Sequence, residues 1–243
     1  MKKFLFFTFL SFFAFNQQAP INIYLVGDST MANKPNLENP ERGWGQLFPG
    51  FFNENVRIEN HARNGRSTKS FIDEGRWDSV LVKVKKGDYV FIQFGHNDAK
   101  KEDPKRYAEA HTTYKNNLLK FVSDCSAKGA TPILLTSIVR RKFDGDGKLI
   151  DTHGDYPIVV REVAKELNVL LIDIHESSRE LVSGLGDEGS KALYLYIEPA
   201  KYKALPDGKK DDTHFSKLGA TKMAELVVNG IRDLKIDLVN YLK

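Results

Sequence analysis

Four short polar blocks carry the residues able to do chemistry, and three of them close an apolar run. Gly27-Asp28-Ser29-Thr30 follows residues 21–26, Asn64-Gly65-Arg66-Ser67 follows 56–62, and Gly95-His96-Asn97-Asp98 follows 89–94. The fourth, Asp211-Asp212-Thr213-His214-Phe215, lies far downstream, before the last helical stretch. Together they offer a hydroxyl, an imidazole, a carboxylate and a Gly/Asn pair able to donate N–H groups. With those parts a serine can attack an ester carbonyl while the developing negative charge is held. Reactive groups of an open parallel α/β sheet converge at the carboxyl ends of its strands, so these blocks belong on one edge.

Ser29 directly follows a strand-like run and sits where a helix could begin, which would expose its hydroxyl beside backbone N–H groups. On its own it reads equally well as a helix cap, and the G-x-S-x-G elbow of another hydrolase fold is absent. The serine therefore depends on the company of the other blocks. Gly65 has no Cβ to keep its N–H from a bound oxygen, and the Asn97 amide can point at the same place. Each alone also fits a simple turn. His214 is a side chain whose ordinary pKa of about 6.5 suits proton transfer near neutrality. Asp211, three residues earlier, can reach back to its Nδ1–H and fix the tautomer. Asp212 is the weaker candidate, a solvated or loop-bonding carboxylate.

Five runs, 21–26, 56–60, 89–94, 132–137 and 169–174, are short, rich in Val, Ile and Leu, and mostly not alternating. Strands covered on both faces of a parallel sheet read this way. Helix-like stretches at 77–85, 107–128 and 156–167 separate them, 175–183 also looks helical, and a last helix runs from a capping Ser216 to about residue 232. The alternation predicts a three-layer α/β/α sandwich on a five-stranded parallel sheet, with right-handed crossovers. Loops fall at 33–42, 98–105, 143–155 and 184–210; the last is long enough to be functional, framing the site and delivering His214.

The chain of 243 residues accommodates one such domain, over 21–243, behind an N-terminal leader at 1–20. Met1-Lys2-Lys3 precedes an apolar run over 4–15 that is too short to span a bilayer, which takes about 20 residues. This is the form of a secretory signal, cleaved somewhere in 14–20, and it implies a secreted or periplasmic protein with no stable membrane insertion. Cys125 is the only cysteine, so no intrachain disulfide forms, and it reads as a small buried hydrophobe. The net charge of +4 is too small to imply nucleic acid. Gly184-Leu-Gly186-Asp-Glu-Gly189 matches a dinucleotide fingerprint in letters but follows a helix-like stretch instead of a strand. Asp144-Gly-Asp146-Gly lacks the spacing of a calcium loop, and His153 and His175 have no metal-ligand spacing with each other. No metal and no cofactor are expected.

The four blocks, in this order, resemble the SGNH (GDSL-like) hydrolase superfamily, whose lettered signature falls on Ser29, Gly65, Asn97 and His214. The longer matches, Asn60-His61-Ala62-Arg63-Asn64-Gly65-Arg66-Ser67-Thr68, Glu74-Gly75-Arg76-Trp77 and the segment around His214, resemble its rhamnogalacturonan acetylesterase branch. The resemblance implies a flavodoxin-like sheet order, Ser29 as nucleophile, His214 as base and then acid, and Asp211 as its orienting carboxylate. It implies an oxyanion hole made of the Ser29 and Gly65 N–H groups and the Asn97 side chain. It also implies removal of O-acetyl groups from pectin, with rhamnogalacturonan favoured. A broad esterase or lysophospholipase-like lipase, and an inactive carbohydrate-binding module, are the alternatives. The chain lacks the disulfide of some fungal relatives, which bears on rim-loop rigidity and not on the chemistry. Pectin carries galacturonate carboxylates, and arginine grips carboxylates bidentately. Arg140-Arg141-Lys142, with Arg63 and Arg66 on the same edge, otherwise reads as a solvated face. Arg140, Arg141 and Arg66 are thus the candidate contacts to an acidic polysaccharide.

Overall fold

Runs of Val, Ile and Leu without alternation become strands with a covered face on each side. In the computed structural model, which describes residues 20–243, β1 (Ile21–Gly27), β2 (Val56–Asn60), β3 (Tyr89–Gln93), β4 (Thr131–Leu135) and β5 (Leu170–Ile172) form one sheet. All four pairings are parallel and the order is β2-β1-β3-β4-β5, as expected. The helices are α1 (Trp44–Leu47), α2 (Thr68–Asp73), α3 (Arg76–Leu81), α4 (Lys115–Ala127), α5 (Tyr156–Glu166), α6 (Ile174–Ser190) and α7 (Lys217–Leu234).

Successive strand residues face opposite layers, and the two cores divide accordingly. Ile23, Leu25, Phe91, Ile133 and Leu135 pack with Trp44 and with Met223, Ala224, Val227, Val228 and Ile231 of α7, whose spacing sets them on one face. Tyr24, Val26, Val90, Ile92 and Leu134 pack on the other side with Trp77, Phe121, Val159 and Val163. Ser216 caps α7, its hydroxyl accepting the Gly219 N–H at 3.1 Å. Cys125 is fully buried among this second set, and burial pushes its thiol up to about 12, so it behaves as the small hydrophobe expected.

Three elements depart from expectation. Helix α2 arises in a stretch to which the sequence pattern assigns no element, started by a reciprocal cap between Ser67 and Ser70. Helix α6 continues to Ser190, with Gly186 at φ 68 marking a kink, so the dinucleotide-like letters lie within helix and cradle nothing. The long loop expected over 184–210 is thereby shortened, and its far end is paired. Tyr194–Ile197 (β6) and Lys209–Phe215 (β7) form an antiparallel ribbon, and His214 rides on a strand. The β7 sequence, Lys-Lys-Asp-Asp-Thr-His-Phe, has almost no apolar pattern of its own; pairing with Tyr-Leu-Tyr-Ile makes it a strand. The secretory-signal reading falls almost wholly on residues 1–19, outside the described residues. Among the described residues no helix is long and apolar enough to cross a membrane.

The switch point of this strand order lies between β1 and β3, and there the two backbones nearly touch. A Cβ on Gly27 would lie 2.7 Å from the Gln93 carbonyl oxygen. Gly27→Ala should therefore cost about 1–3 kcal/mol by overpacking. Gly50→Ala, where a Cβ meets nothing within 4 Å, should stay within about 0.5 kcal/mol. Urea unfolding of both variants checks this, and equal costs would remove the close approach as a constraint.

Candidate active site

The turn after β1 is built by a buried carboxylate. Asp28 Oδ1 accepts from the Thr30 N–H at 2.9 Å and the Thr30 hydroxyl at 2.8 Å, while Oδ2 accepts from His96 Nδ1 at 3.0 Å. Burial alone would raise its pKa, but these donors and the facing imidazole outweigh it and hold the carboxyl down at about 2. The Met31 and Ala32 N–H groups close one turn on the Asp28 carbonyl, at 3.3 and 3.1 Å. No helix follows, contrary to expectation, and the next one starts at Trp44. Ser29 sits at the apex.

Two elements of the ribbon bring the base. His214 Nε2 lies 2.9 Å from Ser29 Oγ, and His214 Nδ1 lies 2.9 Å from Asp211 Oδ2. Asp211 Oδ1 accepts from the N–H groups of Thr213 and His214 at 2.9 and 3.0 Å, so a local turn aims the carboxylate. Its burial opposes ionisation, but the His214 ring N–H and the two backbone donors prevail and keep it well below the usual carboxylate range. With Nδ1–H committed to Asp211, the consistent tautomer leaves the Nε2 lone pair facing the serine hydroxyl. Asp212 points elsewhere, accepting from Tyr196 Oη at 2.6 Å and from Arg141 at 2.7 Å.

Gly65 has φ +73, a left-handed conformation that favours glycine. Among the described residues neither its N–H nor that of Ser29 has a hydrogen-bond partner. The Asn97 side-chain amide donates to the Arg66 carbonyl at 3.0 Å, and its oxygen faces Arg106 Nη1 at 3.5 Å. That pair of neighbours fixes which end of the amide carries the N–H groups and leaves its second N–H free.

These groups open on a cavity of about 370 Å³, lined by Ser29, Asn64, Gly65, Asn97, Thr213 and His214 and also by Glu41, His96, Lys100, Arg106 and Arg140. Of the three candidate arginines only Arg140 reaches it. Arg141 is buried, paired with Asp212 and Asp187 and laid over the Tyr196 ring at 4.8 Å, so it holds the ribbon and cannot meet a ligand. Arg66 is turned toward Glu74 at 3.1 Å and the Asn64 carbonyl at 2.9 Å. Lys100 and Arg106 take their place; both follow Asn97 closely in the chain and read only as loop charges. Lys34 was missed for the same reason. Nearly buried, its ammonium donates to the Ser29 carbonyl at 2.8 Å and Asn64 Oδ1 at 2.5 Å and pairs with Glu41 at 2.7 Å, joining the serine turn to the Gly65 turn. His153 and His175, unrelated by sequence spacing, meet beside Asp151.

Residues 25–222 match the GDSL-like Lipase/Acylhydrolase family. The chain belongs to that family. It is a serine esterase by that membership and by its relatives. It is 41% identical, over 92% of its length and 94% of the relative's, to the rhamnogalacturonan acetylesterase RhgT of Bacillus subtilis. To the probable rhamnogalacturonan acetylesterase YesY of the same organism it is 37% identical, over 89% of this chain and 95% of that one. The crystal structure of YxiM from Bacillus subtilis superposes with a TM-score of 0.76 at 26% identity, covering 90% of this chain and 58% of that one. The acetylxylan esterase Axe2 of Geobacillus stearothermophilus superposes with a TM-score of 0.62 at 21% identity over 88% of this chain and 95% of that one, and shares the fold.

In this GDSL-like esterase the residue after Asn97 has its own pH signature. Asp98 is fully buried; Oδ1 accepts from Thr68 N–H at 2.9 Å and the Thr68 hydroxyl at 2.5 Å, and Oδ2 has no partner among the described residues. Burial pushes its carboxyl up to about 7 despite the Thr68 bonds. The folded pKa thus exceeds the unfolded value of about 3.9. Its stabilising contribution is complete below pH ~4 and is lost as pH rises through about 7, on the order of 4 kcal/mol. Asp98→Asn keeps the shape without the ionisation. Urea unfolding from pH 4 to 8 should show the variant gaining on the wild type as pH rises, and a constant difference would contradict the assignment.

Proposed function

We propose that this esterase removes acetyl groups from an acidic pectic polysaccharide, rhamnogalacturonan above all, and that it is exported, acting as a secreted or periplasmic enzyme. The observation that carries the reading is the character of the cavity: a Ser29–His214–Asp211 relay opens on walls with no aliphatic or aromatic hydrocarbon side chain and three cationic ones. An acetyl group needs little apolar contact, whereas a long acyl chain would find no aliphatic or aromatic hydrocarbon side chain to lie against. The cations Lys100 and Arg140 suit a polymer bearing carboxylates, while Arg106 is already paired with Asp103. The two relatives named as rhamnogalacturonan acetylesterases support the same substrate class, and the basic and apolar N-terminal residues support export.

The chemistry follows from the geometry. Ser29 Oγ attacks the acetyl carbonyl carbon as His214 Nε2 takes the hydroxyl proton, and Asp211 steadies the imidazolium through Nδ1–H. The carbonyl oxygen becomes an oxyanion, for which the Ser29 N–H, the Gly65 N–H and the free Asn97 N–H are the donors. Collapse breaks the bond to the sugar oxygen, which leaves with the proton from His214, and an acetyl-Ser29 ester remains. Water, deprotonated by His214, attacks that ester; acetate departs and the proton returns to Ser29.

Acetate release from acetylated rhamnogalacturonan should exceed release from acetyl-xylan, while long-chain acyl esters should be poor substrates. Ser29→Ala should lose about 10³-fold or more in kcat with an unchanged melting profile. Turnover of long-chain esters at the rate of acetylated pectin would overturn the substrate assignment, and a folded, active Ser29→Ala protein the mechanism.

The cationic wall makes a separate expectation. Replacing Lys100 and Arg140 together by Gln should raise KM for acetylated rhamnogalacturonan roughly three- to thirty-fold, the range for two partly exposed charge pairs. A small neutral acetyl ester should be nearly unaffected, and added salt should shrink the pectin effect. Equal losses on both substrates, or a loss indifferent to salt, would make these side chains scaffold only.

A further inference from the structure

Behind the wall that carries Arg140, three imidazoles stack edge to face. The rings of His96 and His153 are 4.8 Å apart at 85°, and those of His153 and His175 are 5.3 Å apart at 83°. His96 is accounted for by Asp28. His153 is not. It is 3% exposed, and neither ring nitrogen has a hydrogen-bond partner among the described residues, a condition that buried polar groups rarely tolerate without a reason.

Its surroundings supply one. His153 Nδ1 and His175 Nε2 each lie 3.7 Å from the same oxygen, Asp151 Oδ1, beyond hydrogen-bond reach. His175 Nδ1 donates to the Ser137 carbonyl at 3.0 Å, so in the neutral ring Nε2 carries a lone pair. Burial drives the His153 imidazole down to about 3, with Arg140 and the two neighbouring histidines acting the same way and Asp151 opposing. Two ring nitrogens and a carboxylate oxygen thus lie within 4.8 Å of one another, and the His153 tautomer, fixed by no hydrogen bond, is free to present a lone pair to the same point. A cation reconciles them.

We propose that Asp151, His153 and His175 bind a divalent transition metal of the zinc class, with a fourth position left to water. Two imidazoles and one carboxylate suit Zn²⁺ or Co²⁺ and not Ca²⁺ or Mg²⁺, which take mostly oxygen ligands. Bonds of about 2.1 Å set tetrahedral ligand atoms roughly 3.4 Å apart, so the two 3.7 Å pairs close slightly on binding, and the three ligand atoms, now within 4.8 Å of one another, draw together around the ion. The bond from His175 Nδ1–H to a backbone carbonyl is the outer contact that orients a metal-binding imidazole. The ion ties two parts of the chain together. Asp151 and His153 flank Thr152, whose carbonyl and hydroxyl both accept from Arg140 at 3.2 Å, and His175 lies in the first turn of α6. Bound metal would therefore fix the loop that holds Arg140 at the cavity wall.

The test is metal binding, read apart from activity. Protein purified without a polyhistidine tag and stripped with chelator is titrated with ZnCl₂ by calorimetry and with Co²⁺ by visible absorption. One ion per chain is expected, with d–d bands of a low-coordinate Co²⁺ site and a melting temperature raised by zinc. Asp151→Asn changes a half-exposed side chain and leaves the fold in place; it should weaken binding at least about ten-fold, and His153→Gln should do the same. His111→Gln, which alters the separate surface pair with Asp155, should bind as the wild type does. Absence of zinc binding, or equal affinity in the wild type and Asp151→Asn, would overturn the site. If His153→Gln fails to fold, Asp151→Asn decides.

Discussion

The site depends on one buried charge. The Asp28 carboxylate has no solvent, yet three donors from Thr30 and His96 satisfy it. The Thr30 bonds are local and set the turn that lifts Ser29 off the end of β1. The His96 bond spans to the turn after β3, so the two loops at the switch point are held by a single side chain. Removing either partner would leave a buried charge short of donors, a far larger cost than a surface pair carries. The close approach of Gly27 to the Gln93 carbonyl is the steric counterpart of this electrostatic tie. The sheet sets the distance between the loops, and Asp28 sets their orientation.

Lys34 and the ribbon complete the frame by different means. The Lys34 ammonium joins the Ser29 carbonyl, Asn64 and Glu41, linking the β1 loop to the β2 loop from beneath. His214 comes from outside the main sheet, on β7, whose polar sequence would not form a strand unaided. Its position rests on pairing with β6 and on Arg141, which is clamped between Asp187 of α6 and Asp212 of β7 over the Tyr196 ring. An arginine that looks from sequence like a ligand contact acts as a rivet two residues from the base.

What could be read in the sequence and what could not have a common physical root. Strands buried on both faces advertise themselves by composition, so the sheet was legible to within a residue or two at most of its ends. Ser29, Gly65, Asn97, Asp211 and His214 were legible because each sits at a short, fixed offset from such a strand or from a neighbour along the chain. Lys34, Arg106, Lys100 and the His153–His175 pair were not. Lys34 and the two histidines meet partners from other parts of the chain, and a charged or imidazole side chain in a polar loop looks solvated until the loop has a place. Arg141 and Arg66 failed in the opposite direction: correct edge, but ion pairs with Asp187, Asp212 and Glu74 had already taken their charge. The ribbon was invisible because its pattern lies in its partner strand.

The two carboxyls flanking the β3 loop divide the electrostatic work. Asp28 and Asp98 are equally buried, but Asp28 has donors for both oxygens and stays ionised, while Asp98 has donors for one and is driven toward neutrality, with the Asp28 charge adding to the effect. Asn97 lies between His96, whose ring N–H is donated to the first, and Asp98 itself. An oxyanion at the proposed position would be repelled by every nearby negative charge, and in a poorly screened interior that repulsion is felt strongly. Asp28 is offset by its own donors, and a protonated Asp98 contributes a dipole instead of a charge. The loop that presents the Asn97 amide can therefore be anchored by two acids and still favour negative charge in the cavity, provided that one of them keeps its proton.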